Sequence, residues 1–331
     1  MTPADIDALD ASFEAIDEWR GDIVVRLAGR FVRIHVADRH VERLIEHAFG
    51  HLRHQLGAER PTLEVRVAVG DVPGNALSDE PSGAVGVFRL PGGGVGVHHV
   101  GRQLELYRPS LGIDLLVTAE AATDPELLSH PMAATMAAWA LDHDLLAMHS
   151  AAVEVDGRGV LLIGASGAGK STTAMACAAA GLGFLGDDLC LVDPRSRTVH
   201  SWYSTMKLFD DSASAIGSTK WSTMATNRLG KAVVGLSSAD GIKLVNEAPL
   251  VALVVLDIDD GSGRRLIDLP RTEVMPAMRC TAVPLPGSMA PWLSGVATLA
   301  HALPAFRLPL GWHLDDVVAA IREAAARGST T

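Results

Sequence analysis

Cysteine and lysine are the scarce residues of this 331-residue chain, which has three cysteines (Cys177, Cys190, Cys280) and five lysines. Three cysteines cannot build a disulfide framework, and with no CxxC or Cys/His spacing they offer no metal site, so a reducing, cytoplasmic setting is expected. Basic charge is also short: 28 Lys and Arg against 39 Asp and Glu leave a formal net charge of −11. A chain so balanced lacks the electrostatic footprint of a polyanion binder, and no nucleic-acid partner is expected. Long hydrophobic runs are missing too. The longest, such as Val251 to Leu256, are strand-sized, whereas a membrane span needs about 20 apolar residues, so no membrane partner is expected. Residues 1–20 mix acidic and small side chains without the basic start and apolar stretch of a secretory signal, and no export signal is expected.

Apolar residues are plentiful at 48%, and the length exceeds what one core usually organises, which implies two domains. Residues 22–36 alternate apolar and polar side chains around Gly29, the pattern of one or two half-buried strands. Val41, Leu44, Ile45, Ala48, Phe49 and Leu52 then recur at helical spacing, with Asp38 as N-cap and Gly57 as a stop. Leu63 to Val69 reads as another strand, and segments around residues 85–90, 94–100 and 104–107, parted by Gly-rich turns, form an antiparallel meander. His98 and His99 in that meander have no carboxylate at ligand spacing and are expected to be exposed strand residues. Residues 125–146 read as one helix. These patterns divide the chain into a smaller α+β domain over 1–122 and a second domain over 123–331.

In the second domain, Leu146 to Val155 and Val160 to Ile163 read as strands joined by Asp156-Gly157, a short hairpin signal. Directly after them stands Gly164-Ala165-Ser166-Gly167-Ala168-Gly169-Lys170-Ser171, followed by Thr172 and a helix that runs to Ala180. The pattern G-x-x-x-x-G-K-[ST] between a strand and a helix places backbone N–H groups and a helix N-terminus around a polyphosphate. Lys170 would bridge the terminal phosphates and the Ser171 hydroxyl would bind Mg²⁺, so ATP and Mg²⁺ are the expected cofactors. Chance gives roughly 0.005 matches to this pattern at this composition, so a Gly-rich turn with a merely solvated lysine is the poorer reading. Gly183 to Val192 reads as a third strand, carrying Asp187 and Asp188.

Taken together, His149-Ser150, the Asp156-Gly157 hairpin, the glycine-rich loop and Leu185-Gly186-Asp187-Asp188 resemble the HPr kinase/phosphorylase superfamily and its HPr-kinase-related members. The resemblance covers residues 145 to 195. It implies an α/β fold with a phosphoenolpyruvate-carboxykinase-like P-loop core, in which the strand before the loop is antiparallel to its neighbour in a mixed sheet. It also implies an ATP-dependent kinase in which Asp187 is the catalytic base toward a serine hydroxyl, Asp188 and Ser171 hold Mg²⁺, and His149 lies near the phosphates or the aspartates. Cationic help for the phosphoryl group is sought among Lys207, Lys231, Arg271 and Arg279, with Lys207 and Lys231 foremost because lysine is so rare here. The Glu-Ile-Arg-Gly signature of HPr kinases is absent, and the corresponding stretch reads Ser204-Thr205-Met206-Lys207-Leu208-Phe209. The resemblance to divergent HPr-kinase-like proteins implies as partner a small protein or peptide bearing an acceptor serine, of which the lasso-peptide precursors are one class, while HPr itself and phosphorylase activity stay open. Homo-oligomerisation is left open by the sequence.

Two other readings stand beside this one. Residues 251–257, VALVVLD, imitate the apolar strand and aspartate of a Walker B element, which would make the chain an ATPase. A regulatory module that binds ATP without turning it over is the other. Residues 304–327 read as a strand and then a helix, with Asp315 and Asp316 placed to favour the helix start through its dipole and Trp312 and His313 as packing or turn residues.

Overall fold

The computed structural model describes residues 3–55, 57, 59–73, 85–124, 127, 129–209, 223–227, 230–258, 265–310 and 313–329. They form two compact units, one of residues 1–143 with 284–288 and one of residues 144–283 with 289–331. The division falls after His143 rather than at residue 122, because the helix Ala133–Asp142 packs on strands of the first unit.

The first unit contains helix α1 (Pro3–Glu14), the hairpin β1 (Gly21–Leu27) and β2 (Arg30–Val36), helix α2 (Arg39–Phe49), and strand β3 (Leu63–Val69). The meander follows as β4 (Val85–Arg89), β5 (Val95–His99), β6 (Gln103–Arg108) and β7 (Gly112–Val117), and then comes helix α3 (Ala133–Asp142). The strands make one sheet in the order β1-β2-β3-β7-β6-β5-β4. Ala28 and Gly29 both take positive φ between β1 and β2, the twist-compatible geometry of a two-residue hairpin turn. Asp38 caps α2 as expected, its carboxylate accepting from the N–H groups of His40 and Val41. Helix α2 ends at Phe49 in a short 3₁₀ turn, Gly50–Leu52, well before Gly57. His98 and His99 are half-buried on β5, because β5 is an interior strand and not an exposed one. Helix α3 is also shorter than its apolar pattern suggested: Met132, after Pro131, adopts φ 59°, which no continuous helix permits.

The second unit is an α/β structure whose main sheet mixes parallel and antiparallel pairs. Its elements are β8 (Leu146–Met148), β9 (Ala151–Val155), β10 (Arg158–Ile163), α4 (Lys170–Ala179), β11 (Gly183–Gly186), β12 (Cys190–Asp193) and β13 (Thr198–His200). Next come β14 (Thr205–Leu208), β15 (Thr223–Thr226), β16 (Ala232–Gly235), β17 (Glu247–Ile258), β18 (Ile267–Asp268), α5 (Arg271–Met278), α6 (Met289–Ala302), β19 (Ala305–Leu310) and α7 (Leu314–Gly328). The sheet runs β11-β9-β10-β17-β13-β12-β8, and β17 pairs with β13 through its first residues and with β19 through its last. Strand β10 is antiparallel to β9 and parallel to β17. The β9–β10 turn uses Asp156 and Gly157, both at positive φ, as the dipeptide foretold. Strands β14, β16 and β15 make a separate small sheet.

Helices α4 and α7 pack on one face of this sheet. Met175, Cys177 and Ala178 of α4 and Ile321, Ala324 and Ala325 of α7 meet Val160, Leu162, Val254 and Leu256 in one buried cluster. Leu161 and Ile163, pointing to the other face, are equally buried. A strand covered on both sides needs a continuous apolar run, which is what Val160 to Ile163 provides. Each large side chain so buried contributes about 1.5–3 kcal/mol, enough to fix the end of β10 and the start of α4 that flank the glycine-rich loop.

Candidate functional site

The loop from Gly164 to Gly169 leaves the C-terminal end of β10 and opens directly into α4. Gly167 and Gly169 have φ of +83° and +88°, a region that glycine enters freely. The glycines differ in what surrounds them. A Cβ on Gly169 would stand 2.4 Å from Leu310 Cδ1, and one on Gly164 would stand 2.8 Å from Ala168 Cβ, whereas one on Gly167 would meet nothing within 4 Å. The base of the loop is thus packed and its tip is open. Thr172 and Ser171 lie in the first turn of α4, whose N-terminal N–H groups are the part of a helix that attracts anions.

Lys170 is buried, and its ammonium donates to the carbonyl oxygens of Gly164 at 2.8 Å and Ala165 at 3.2 Å. Burial holds its pKa below the usual lysine range, and the negative charge of Asp187 opposes that most, followed by Cys280 and Asp188. Lys231 adds a smaller like-charge effect in the direction of burial.

The aspartate pair sits where two chain segments cross the sheet. The expected strand over residues 146–155 is in fact β8 and β9, broken at His149-Ser150, and the expected strand over 183–192 is β11 and β12, broken at Asp187-Asp188-Leu189. Strand β8 pairs with β12 and β9 pairs with β11, so the breaks face one another. Asp188 takes φ 66°, a left-handed conformation that aspartate tolerates better than most residues, and Leu189 N–H closes the turn onto the Asp187 carbonyl at 2.7 Å. His149 is therefore a junction residue and not, as its apolar setting suggested, part of a strand. Its Nδ1 lies 3.0 Å from Asp188 Oδ1, and its backbone N–H donates to Thr281 O at 2.8 Å.

Asp187 is fully buried, and neither carboxylate oxygen has a complete hydrogen bond among the described residues. Burial pushes its pKa up to about 6, and the charge of Asp188 pushes the same way. The Ser171 hydroxyl and the N–H groups of Lys207 and Asp188 are near enough to pull it partly back, although none makes a full bond. Lys207, on β14, lies near the other oxygen of Asp188, with Nζ 3.5 Å from Oδ2.

The structure thus brings Lys170, Ser171, Asp187, Asp188, His149 and Lys207 together. Lys231 stands over the Phe209 ring at 4.8 Å, close enough for Lys170 to sense its charge. Arg271 is exposed and neighbours His301 Nδ1 at 3.4 Å, with no described link to the aspartates. Arg279 is exposed and begins the turn Arg279–Thr281, whose last carbonyl receives His149. That turn also carries Cys280, close enough to Lys170 to act on it electrostatically, which no pattern in the sequence marked. Asp257 is exposed near the end of β17, and the charges that act most on Lys170 do not include it. Trp312 lies outside the described residues, and residues 125, 126 and 128 of the expected helix do too.

Buried unsatisfied carboxylate oxygens next to a hydroxyl, with a second carboxylate one residue on, are hard oxygen donors of the kind Mg²⁺ uses. Among the described residues no group of three or more His, Cys, Asp or Glu could hold a metal by itself. The open loop tip fits a polyphosphate.

Fold and site define an α/β protein with a mixed sheet and a polar centre at a glycine-rich strand-to-helix turn. No family model matches the chain, and no curated protein does. Among solved structures it is similar to the HPr(Ser) kinase/phosphatase from Coxiella burnetii, at 12% identity and a TM-score of 0.32, over 55% of this chain and 98% of that one. Among the described residues no helix is long and apolar enough to cross a membrane.

Proposed function

We propose that this chain is an ATP-dependent kinase that transfers the γ-phosphoryl group to a serine or threonine hydroxyl of a small protein or peptide. The observation that carries the reading is Asp187: a carboxylate with no complete hydrogen bond, fully buried, beside Ser171 and within the field of Lys170. A carboxyl group poised near pH 6 is suited to accept a proton from an attacking hydroxyl. An ATPase could turn the same carboxyl toward water, so the acceptor decides between the two.

On this reading the backbone of Gly164 to Gly169 and the start of α4 hold the phosphates, as in a P-loop kinase core related to phosphoenolpyruvate carboxykinase. Lys170 exchanges the Gly164 and Ala165 carbonyls for phosphate oxygens. Ser171 and Asp188 would hold Mg²⁺, which supplies neutralisation of charge on the phosphates. Asp187 orients the acceptor hydroxyl and takes its proton. His149 fixes Asp188. The work of these groups is positioning and electrostatics, which is most of what phosphoryl transfer needs. A serine-bearing peptide, such as a lasso-peptide precursor, is the proposed acceptor, and the first unit is the proposed region for docking it.

One observation favours an ATPase instead: β17 lies parallel beside β10 and ends at Asp257 and Ile258, where a Walker B aspartate would stand. The two readings separate by experiment. Serine-containing peptides encoded by neighbouring genes are incubated with the protein, ATP and Mg²⁺ and examined by mass spectrometry. Phosphate on a hydroxyl supports the kinase, and phosphate release that ignores the peptides supports the ATPase.

A further inference from the structure

Both lysines of the site are engaged with groups of the protein itself. Lys170 rests on two loop carbonyls, and Lys207 rests 3.5 Å from Asp188 Oδ2, on the carboxylate that the kinase reading gives to the metal. His149 stands 3.0 Å from the other oxygen, so each carboxylate oxygen of Asp188 has a nitrogen near it. Lys207 is largely buried, which weakens the screening of its charge, and it comes from β14 of the small sheet, a different element from the turn that carries Asp188. A divalent cation and an ammonium cannot both neutralise one carboxylate oxygen at contact distance without strong mutual repulsion.

We propose that Lys207 is the resident counter-ion of Asp188 and competes with the divalent cation for it. Resting on the kinase reading above, this makes Lys207 a two-position residue. With Asp188 unloaded its ammonium holds the carboxylate. When a cation takes Asp188, the ammonium is released toward the phosphates, where a second positive charge is wanted. The exchange keeps the aspartate turn compensated in the empty protein and withholds the second cation until the metal is in place.

The test is a titration of the full chain with Mn²⁺ alone, without nucleotide, read by electron paramagnetic resonance. Lys207→Met removes the competitor, and Mn²⁺ binding tightens on the order of tenfold, while Lys207→Arg keeps the charge and binds as wild type does. Lys207→Gln carries the same expectation as Met should the apolar side chain not be tolerated. Adding Asp188→Asn to the Met variant must erase the gain. Unchanged or weaker Mn²⁺ binding by the Met and Gln variants overturns the proposal, and so does a gain that survives Asp188→Asn. ATP binding by calorimetry on the wild-type protein separates the two levels of the argument. Its absence strikes the kinase reading itself, whereas its presence with no Mn²⁺ gain strikes only the role of Lys207.

Discussion

Replacing Asp187 by Asn should make the nucleotide-free protein relatively more stable as pH rises, and the sign follows from burial. A carboxyl group raised from 3.8 to about 6 on folding binds more protons in the folded than in the unfolded state between those values, so stability falls as pH climbs through that window. The cost in the wild-type protein is about 1 kcal/mol at pH 4.5, where the folded group is still protonated, and about 3 kcal/mol at pH 8, where it is charged and buried. The amide of Asn has a burial cost of its own, but that cost does not change with pH. The difference between variant and wild type therefore moves by about 2 kcal/mol in favour of the variant from pH 4.5 to pH 8. For a unit of this size that is about 4–8 °C in the difference of midpoints. Thermal unfolding of both proteins at the two pH values measures it. A difference that stays constant, or that moves against the variant at pH 8, would refute the claim that Asp187 is a destabilised acid held for function.

The other expectations are simpler. Lys170→Ala should abolish ATP binding by calorimetry, because no other lysine is placed on the glycine-rich loop. Gly169→Ala should cost about 1–3 kcal/mol of stability in chemical denaturation and weaken ATP binding, since it combines φ +88° with a Cβ 2.4 Å from Leu310. Gly167→Ala, at similar φ but in open space, should cost about 1 kcal/mol. His149→Ala should slow transfer more than it weakens ATP binding, because His149 touches Asp188 and not the loop; equal losses in steady-state kcat and nucleotide affinity would contradict that placement.

Local chemistry made much of the scaffold legible. Asp156-Gly157 fixed a hairpin, Asp38 capped a helix, and Gly164 to Ser171 marked a strand-to-helix loop, each because a few adjacent residues determine the backbone. The breaks at His149-Ser150 and Asp187-Leu189 were not legible. Leu146 to Val155 and Gly183 to Val192 are apolar enough to read as single strands, and only pairing with two different sets of partners splits them. The split is what turns His149 and Asp188 toward each other. Lys207 was singled out by its rarity alone, and its place beside Asp188 depends on the small sheet formed by segments far apart in sequence. Cys280 had no signal at all, since it arrives on a turn more than one hundred residues after Lys170.

The central claim concerns the fate of one phosphoryl group, and the direct measurement follows it. The protein and its Asp187→Asn variant are each given γ-³²P-labelled ATP, Mg²⁺ and serine-containing peptides, and label is scored on peptide hydroxyls and as free phosphate. The account predicts labelled serine or threonine with the wild-type protein, and bound nucleotide but no labelled peptide with the variant. Label appearing only as free phosphate, at a rate indifferent to the peptides and to Asp187, would contradict it.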